Sequence, residues 1–122
     1  MTINDTSPSG LWQAACDGRF RLEADAAQEC AAHYAWLADQ LEQRIADAGR
    51  LNKLSGFGGF DSAQALQRGF EGKADQGVAA LQSVQRECWE LQAAVLRAGG
   101  ALDETDLASA TRILSKRSEV AS

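Results

Sequence analysis

Between Arg19 and Leu54 the apolar residues Ala27, Cys30, Tyr34, Leu37, Leu41, Ile45, Ala48 and Leu51 recur at steps of three and four, with polar residues between them. That spacing winds one apolar stripe along an α-helix and predicts a long amphipathic helix. At 1.5 Å per residue the helix extends roughly 50 Å, more than an isolated helix sustains in water without packing its stripe on something. A second stripe of Leu66, Phe70, Ala74, Leu81, Val84, Cys88, Leu91 and Val95, with Val78 beside it, predicts a second long helix up to Ala98. Asp61, followed three residues later by Gln64, has the form of a capping box and marks its start.

The two stripes are separated by Ser55-Gly56-Phe57-Gly58-Gly59-Phe60. Gly56 suits the left-handed residue that ends a helix, and Gly58 and Gly59 let the chain reverse within a few residues. Phe57 and Phe60 are then expected to plug the open end of an antiparallel helical hairpin. Gly69, Gly72 and Gly77 inside the second helix cost roughly 1 kcal/mol each if exposed, which points to close helix contact on that side. Upstream, a short helix is expected to bring Leu11 and Trp12 against the hairpin. Downstream, Gly99-Gly100 interrupts the second helix, and helical spacing resumes at Leu102, Leu107, Ala110 and Leu114. The expected organisation is a flexible arm over 1–10, a hairpin domain over 11–98 and a semi-detached helical tail over 99–122, an all-α fold.

Composition agrees with this pattern. Ala, Leu, Gln, Glu and Arg dominate, there is a single Pro, and the β-branched and aromatic residues that strands use are scarce. The 122 residues suffice for one domain with a modest core. A net charge of -5 argues against nucleic acid and anionic membrane surfaces as partners, since both demand clustered basic residues. No apolar run approaches the roughly 20 residues of a membrane span, and Met1–Gly10 has neither the basic start nor the apolar centre of a secretory signal, so synthesis in the cytoplasm without stable membrane insertion is expected.

Candidate chemistry is thin. Cys30 and His33 stand at i, i+3, and a fold that brought Cys16 or Cys88 near would complete a zinc set, but both cysteines of the long helices lie on apolar stripes, where core packing is the simpler reading. Asp103, Glu104 and Asp106 suit the first turn of a helix, where the dipole favours negative charge, better than a pair of catalytic carboxylates. No catalytic residue, metal or cofactor is expected. Trp36 and Trp89 carry more information, because each lies just off its stripe, on a flank that two helices cannot cover for each other. A second helical hairpin docked on that flank would close a four-helix bundle.

These features resemble the WXG family of small helical hairpins exported by the type VII (ESX) secretion systems of actinobacteria. Phe57-Gly58-Gly59 stands where the family has its Trp-x-Gly turn, and in "LRAGGALDETDLASA" Leu102 and Asp106 occupy the positions of its Tyr-x-x-x-Asp/Glu export signal. Both aromatic positions depart from the family pattern. The resemblance spans about Phe20 to Ile113. It implies a non-enzymatic interaction module that pairs with itself, with a WXG-like partner, or with the helical N-terminal region of a larger effector that it targets to the secretion channel. It also implies export after cytoplasmic synthesis, and the alternative is a stand-alone structural or regulatory helical bundle.

If Leu54 and Ser62 flank the turn at equal heights, facing residues have numbers summing to about 116 to 118, which sets Cys30 opposite Cys88. In a reducing compartment the two remain thiols. On an oxidising surface a bridge closing nearly sixty residues would add roughly 3–4 kcal/mol in the chain-entropy model, leaving Cys16 unpaired.

Overall fold

The computed structural model describes residues 6–51, 58–103 and 106–121, and every regular element among them is helical. The four helices are α1 (Pro8–Cys16), α2 (Ala24–Arg50), α3 (Asp61–Ala98) and α4 (Leu107–Ala121). They group into two compact units: one holds the described residues up to Asp39 and those from Arg86 onward, the other is Gln40–Gln85.

In the first unit, local signals set the ends of the helices. Ser7 caps α1, its hydroxyl accepting the Gly10 N–H at 3.2 Å, with Pro8 in the first turn, so helix already begins within the stretch expected to be a flexible arm. α1 and α3 both end in a glycine with positive φ, Gly18 at 77° and Gly100 at 81°. In each case the following residue reaches back five positions, Arg19 N–H to Ala14 O at 2.9 Å and Ala101 N–H to Leu96 O at 2.8 Å. That double-bonded glycine stop supplies donors to carbonyls the helix leaves free. The Leu22 N–H donates to Ala98 O at 3.0 Å and ties the approach to α2 to the end of α3. α2 therefore starts beside the end of α3, and the two run antiparallel, as the hairpin reading expects.

The core of this unit joins Trp12 of α1, Ala31 of α2, Ala93 to Leu96 of α3, and Ala110 and Leu114 of α4. The expectation of a semi-detached tail beyond residue 98 is corrected here. α4 returns its own apolar stripe to the core, with Ala110 1% and Leu114 4% exposed, because two helices alone cannot cover the alanine-rich end of α3. The helices meet through small side chains, and Ala27, Ala31, Ala38, Ala93 and Ala94 are all buried. At Gly99 the approach is tight enough that an added Cβ would overlap the Cβ of Ala27. Gly99→Ala is expected to destabilise the chain by about 1–3 kcal/mol, and Ala27→Gly in the same chain to recover much of that loss. Denaturant midpoints of the two variants and the double variant check this. Equal midpoints for parent and Gly99→Ala would show that the gap has slack.

In the second unit, α2 and α3 face each other across Gln85, whose Nε2 donates to Glu42 Oε2 at 2.6 Å. On α3 the inward side is Ala63, Gln67, Ala74, Val78, Leu81 and Gln85, all buried or half-buried, whereas Leu66, Phe70 and Val84 are exposed. The single stripe expected on this helix is thus two stripes, since residues such as 81 and 84 differ by about 60° around a 3.6-residue helix and only one row faces α2.

Gly56 and Phe57 of the turn motif lie outside the described residues. Gly58 has φ 95°, consistent with a reversal, and α3 begins at Asp61 as expected. Phe60 does not act as the expected lid: it is 81% exposed. Nor do the glycines of α3 mark a close contact within the chain, because a Cβ at Gly69, Gly72 or Gly77 meets nothing within 4 Å.

Candidate functional site

Trp36 and Trp89 have different surroundings. Trp36 stands on the outer side of α2 and is 62% exposed, with Ala32, His33, Asp39 and Gln40 as its helical neighbours one turn away. Trp89 is half-buried and packs on the core of the first unit. It lines two clefts there. One, of about 300 Å³, is otherwise formed by residues including Ala31, Ala35, Leu96, Leu114 and Arg117. The other, of about 470 Å³, includes Arg86, Thr111 and Arg112. The two helices were expected to leave both tryptophans for a partner to cover, and α4 comes back beside Trp89 and half covers it. Trp36 remains the exposed one.

The residues in the export-signal positions carry structural duties. Leu102 packs against the core, and its carbonyl accepts a hydrogen bond from Arg97 Nη1 at 3.1 Å. Asp106 caps α4, with Oδ1 accepting the Ser109 N–H at 2.9 Å and Oδ2 accepting the Ser109 hydroxyl at 3.3 Å. Asp103 precedes the cap rather than lying in the first turn, so of the two described acidic residues, Asp103 and Asp106, it is Asp106 that meets the dipole.

Cys16, Cys30 and Cys88 are free thiols, Cys88 buried and the other two half-buried. Tyr34 lies among Cys30 and Cys88 on the antiparallel pair of helices. Burial raises the Tyr34 phenol, and the nearby Cys30 and Cys88 thiols raise it further by opposing a second negative charge. Burial likewise raises the Cys88 thiol, with Glu87 adding to it. Such a thiol is a poor nucleophile at neutral pH. In each case the folded state holds the proton more tightly than the unfolded chain does. The associated stability is complete below the unfolded values, near 8.5 for a thiol and about 10 for a phenol, and is lost as pH rises through the higher folded values. Stability is expected to decline from about pH 9 upward, with Tyr34→Phe flattening the upper part of the decline. Urea midpoints at pH 8, 9.5 and 11 read this out, and parallel curves for parent and Tyr34→Phe would contradict it.

Among the described residues no group of three or more His, Cys, Asp or Glu is arranged to hold a metal ion. Among them, too, no helix is long and apolar enough to cross a membrane. Cys30 and His33 gain no third ligand in the described part of the chain.

The uncovered apolar surface is concentrated in Gln40–Gln85. Leu51, Phe60, Leu66, Phe70 and Val84 are all more than 40% exposed there, and among the described residues of this unit the buried class holds Gln85 and no apolar side chain. Of the alanines that close the first unit, Ala31, Ala38, Ala93 and Ala94 were missed in the sequence, as was the separation of the outward row of α3 from the row that faces α2. Ala27, Ala31 and Ala38 do follow helical spacing, but alanine is too common in helices for its spacing to stand out beside Leu and Val. No protein-family profile, curated protein or solved structure matches the chain.

Proposed function

We propose that the chain is a non-enzymatic protein-interaction module of type VII secretion, acting as a WXG-like partner that is itself exported or as a targeting partner for a larger effector. The observation that carries this reading is the paired helices of Gln40–Gln85, which bury no apolar side chain among their described residues and expose Leu51, Leu66 and Val84, with Trp36 62% exposed on α2. Helices in that condition gain stability by laying an apolar face against another helix. The resemblance of Phe57-Gly58-Gly59, and of Leu102 with Asp106, to the family's turn and export signal supplies the secretion context. Leu102 and Asp106 would be presented to the export machinery on the folded approach to α4 rather than on a loose tail.

The test is export in an actinobacterial host, with the secretion ATPase intact or inactivated and with this chain present or deleted. The reading expects either the chain itself or a co-produced helical partner to reach the culture filtrate only when both the ATPase and this chain are present. Unchanged filtrates in all four strains would overturn it. A stand-alone helical bundle is the second reading, favoured by the core that α1, α2, α3 and α4 close within the first unit. It expects no such dependence.

A further inference from the structure

The cleft of about 470 Å³ that Trp89 shares with α4 is lined by polar groups from two helices of the first unit. Arg86 and Glu90 stand on α3 at one-turn and one-residue spacing from Trp89, and Thr111, Arg112 and Ser115 stand on α4 within one turn of each other. Helical spacing sets each group on a single face, so the two faces that enclose the cleft contribute one guanidinium each. A space of this size with an aromatic wall and a few convergent polar groups is of the kind that small ligands occupy.

Charge and hydrogen bonding narrow the class of ligand. The chain as a whole carries a charge of -5, yet here two arginines meet one glutamate and the cleft is locally positive. Among the described residues neither guanidinium has an acid within ion-pair distance, although Glu90 is four residues from Arg86 on the same helix. Thr111 adds a second unmatched group, since its hydroxyl is buried and has no hydrogen-bond partner among the described residues. A buried hydroxyl in that condition costs free energy until something supplies an acceptor. The Ser115 hydroxyl already donates to Arg112 O at 2.9 Å. Two guanidinium forks and one hydroxyl, all donors, therefore converge beside the indole of Trp89.

A carboxylate has two oxygens, and a single fork satisfies it. A phosphate monoester offers three terminal oxygens, enough for both forks and the hydroxyl. The half-buried indole adds a flat apolar wall on which an aromatic ring stacks. We propose that the cleft between α3 and α4 binds a small aromatic phosphate monoester, with Arg86 and Arg112 holding the phosphate, Thr111 donating to it and Trp89 stacked on the ring. A ligand that joins an arginine of α3 to one of α4 binds only while α4 is docked, so it stabilises that docking.

Titration of the full chain with phenyl phosphate tests this, followed through the indole N–H signals, with the Trp89 signal assigned by its loss in Trp89→Phe. The expected result is a saturable shift of the Trp89 signal with a dissociation constant below about 1 mM, roughly tenfold or more tighter than for inorganic phosphate or benzyl alcohol, and a melting temperature that rises at saturation. Arg86→Gln and Arg112→Gln should each weaken binding about tenfold, and Thr111→Val about threefold or more, with helix content unchanged because these groups have no partner in the free chain. A constant above about 1 mM, equal binding of inorganic phosphate or benzyl alcohol, no rise in melting temperature, or parental affinity in any of the three variants would each overturn the assignment. Export dependence on the chain is untouched by all of these outcomes.

Discussion

Leu114→Ala is expected to lower the unfolding free energy by roughly 2–5 kcal/mol, although it lies beyond the glycine break, in what the sequence reads as a detachable tail. Leu114 is 4% exposed and shares its core with Trp12, Ala31 and the Ala93–Leu96 run of α3. Removing three heavy atoms there leaves a void bounded by three other helical segments, which cannot all close on it. At roughly 4–8 °C per kcal/mol for a domain of this size class, the melting temperature should fall by about 10 °C or more. A truncation before α4 should cost at least as much. A loss under about 0.5 kcal/mol, the usual range for a surface position, would show that α4 is only laid against the rest.

Trp12→Ala carries a comparable expected loss, about 3–5 kcal/mol. The side chain is 5% exposed, and it anchors α1, a nine-residue helix too short to persist on propensity alone. Without Trp12, α1 should fray, and its amide hydrogens should exchange as in an unfolded segment. Because Trp12 and Leu114 share one cluster, the double variant should lose less than the two single losses added together, by 0.5 kcal/mol or more. Strict additivity would mean that the two residues stabilise separate parts of the molecule.

The contrast between these residues shows which parts of the fold could be read in advance. Helix positions were legible because three/four spacing is a local property: Ala27 to Leu51 and Asp61 to Ala98 needed only their own neighbours. The same spacing at Leu107, Ala110 and Leu114 revealed a helix but not its docking, which depends on the bare alanine surface at the end of α3 rather than on any pattern within α4. Leu66, Phe70 and Val84 were merged with Leu81 into one stripe because a step of three or four tolerates about 60° of drift, enough to hide two rows in one. Gln85 escaped notice because a polar residue looks exposed until a partner such as Glu42 is known. The facing of Cys30 and Cys88 came from an assumed turn height. The structure sets both about Tyr34, and the Leu22 N–H on Ala98 O pins the register at that end of the helix pair.

The candidate site was legible only in part. Trp36 stood out as an aromatic off its stripe and is indeed exposed. Trp89 had the same signature, and α4, whose return no local pattern announces, half covers it. Leu102 and Asp106 were picked for their resemblance to the family's export signal, and the same two residues serve a core contact and a helix cap.

The central claim is that this chain works by holding another helical protein, and the most direct measurement is stoichiometric recovery from its own host. Cross-linked and tagged at its native level, the chain should bring down a helical partner in a fixed ratio, and Trp36→Gln should lower that recovery several-fold while leaving helix content and melting temperature unchanged. Recovery of the chain with no partner in fixed ratio, or a partner retained equally by Trp36→Gln, would contradict the account.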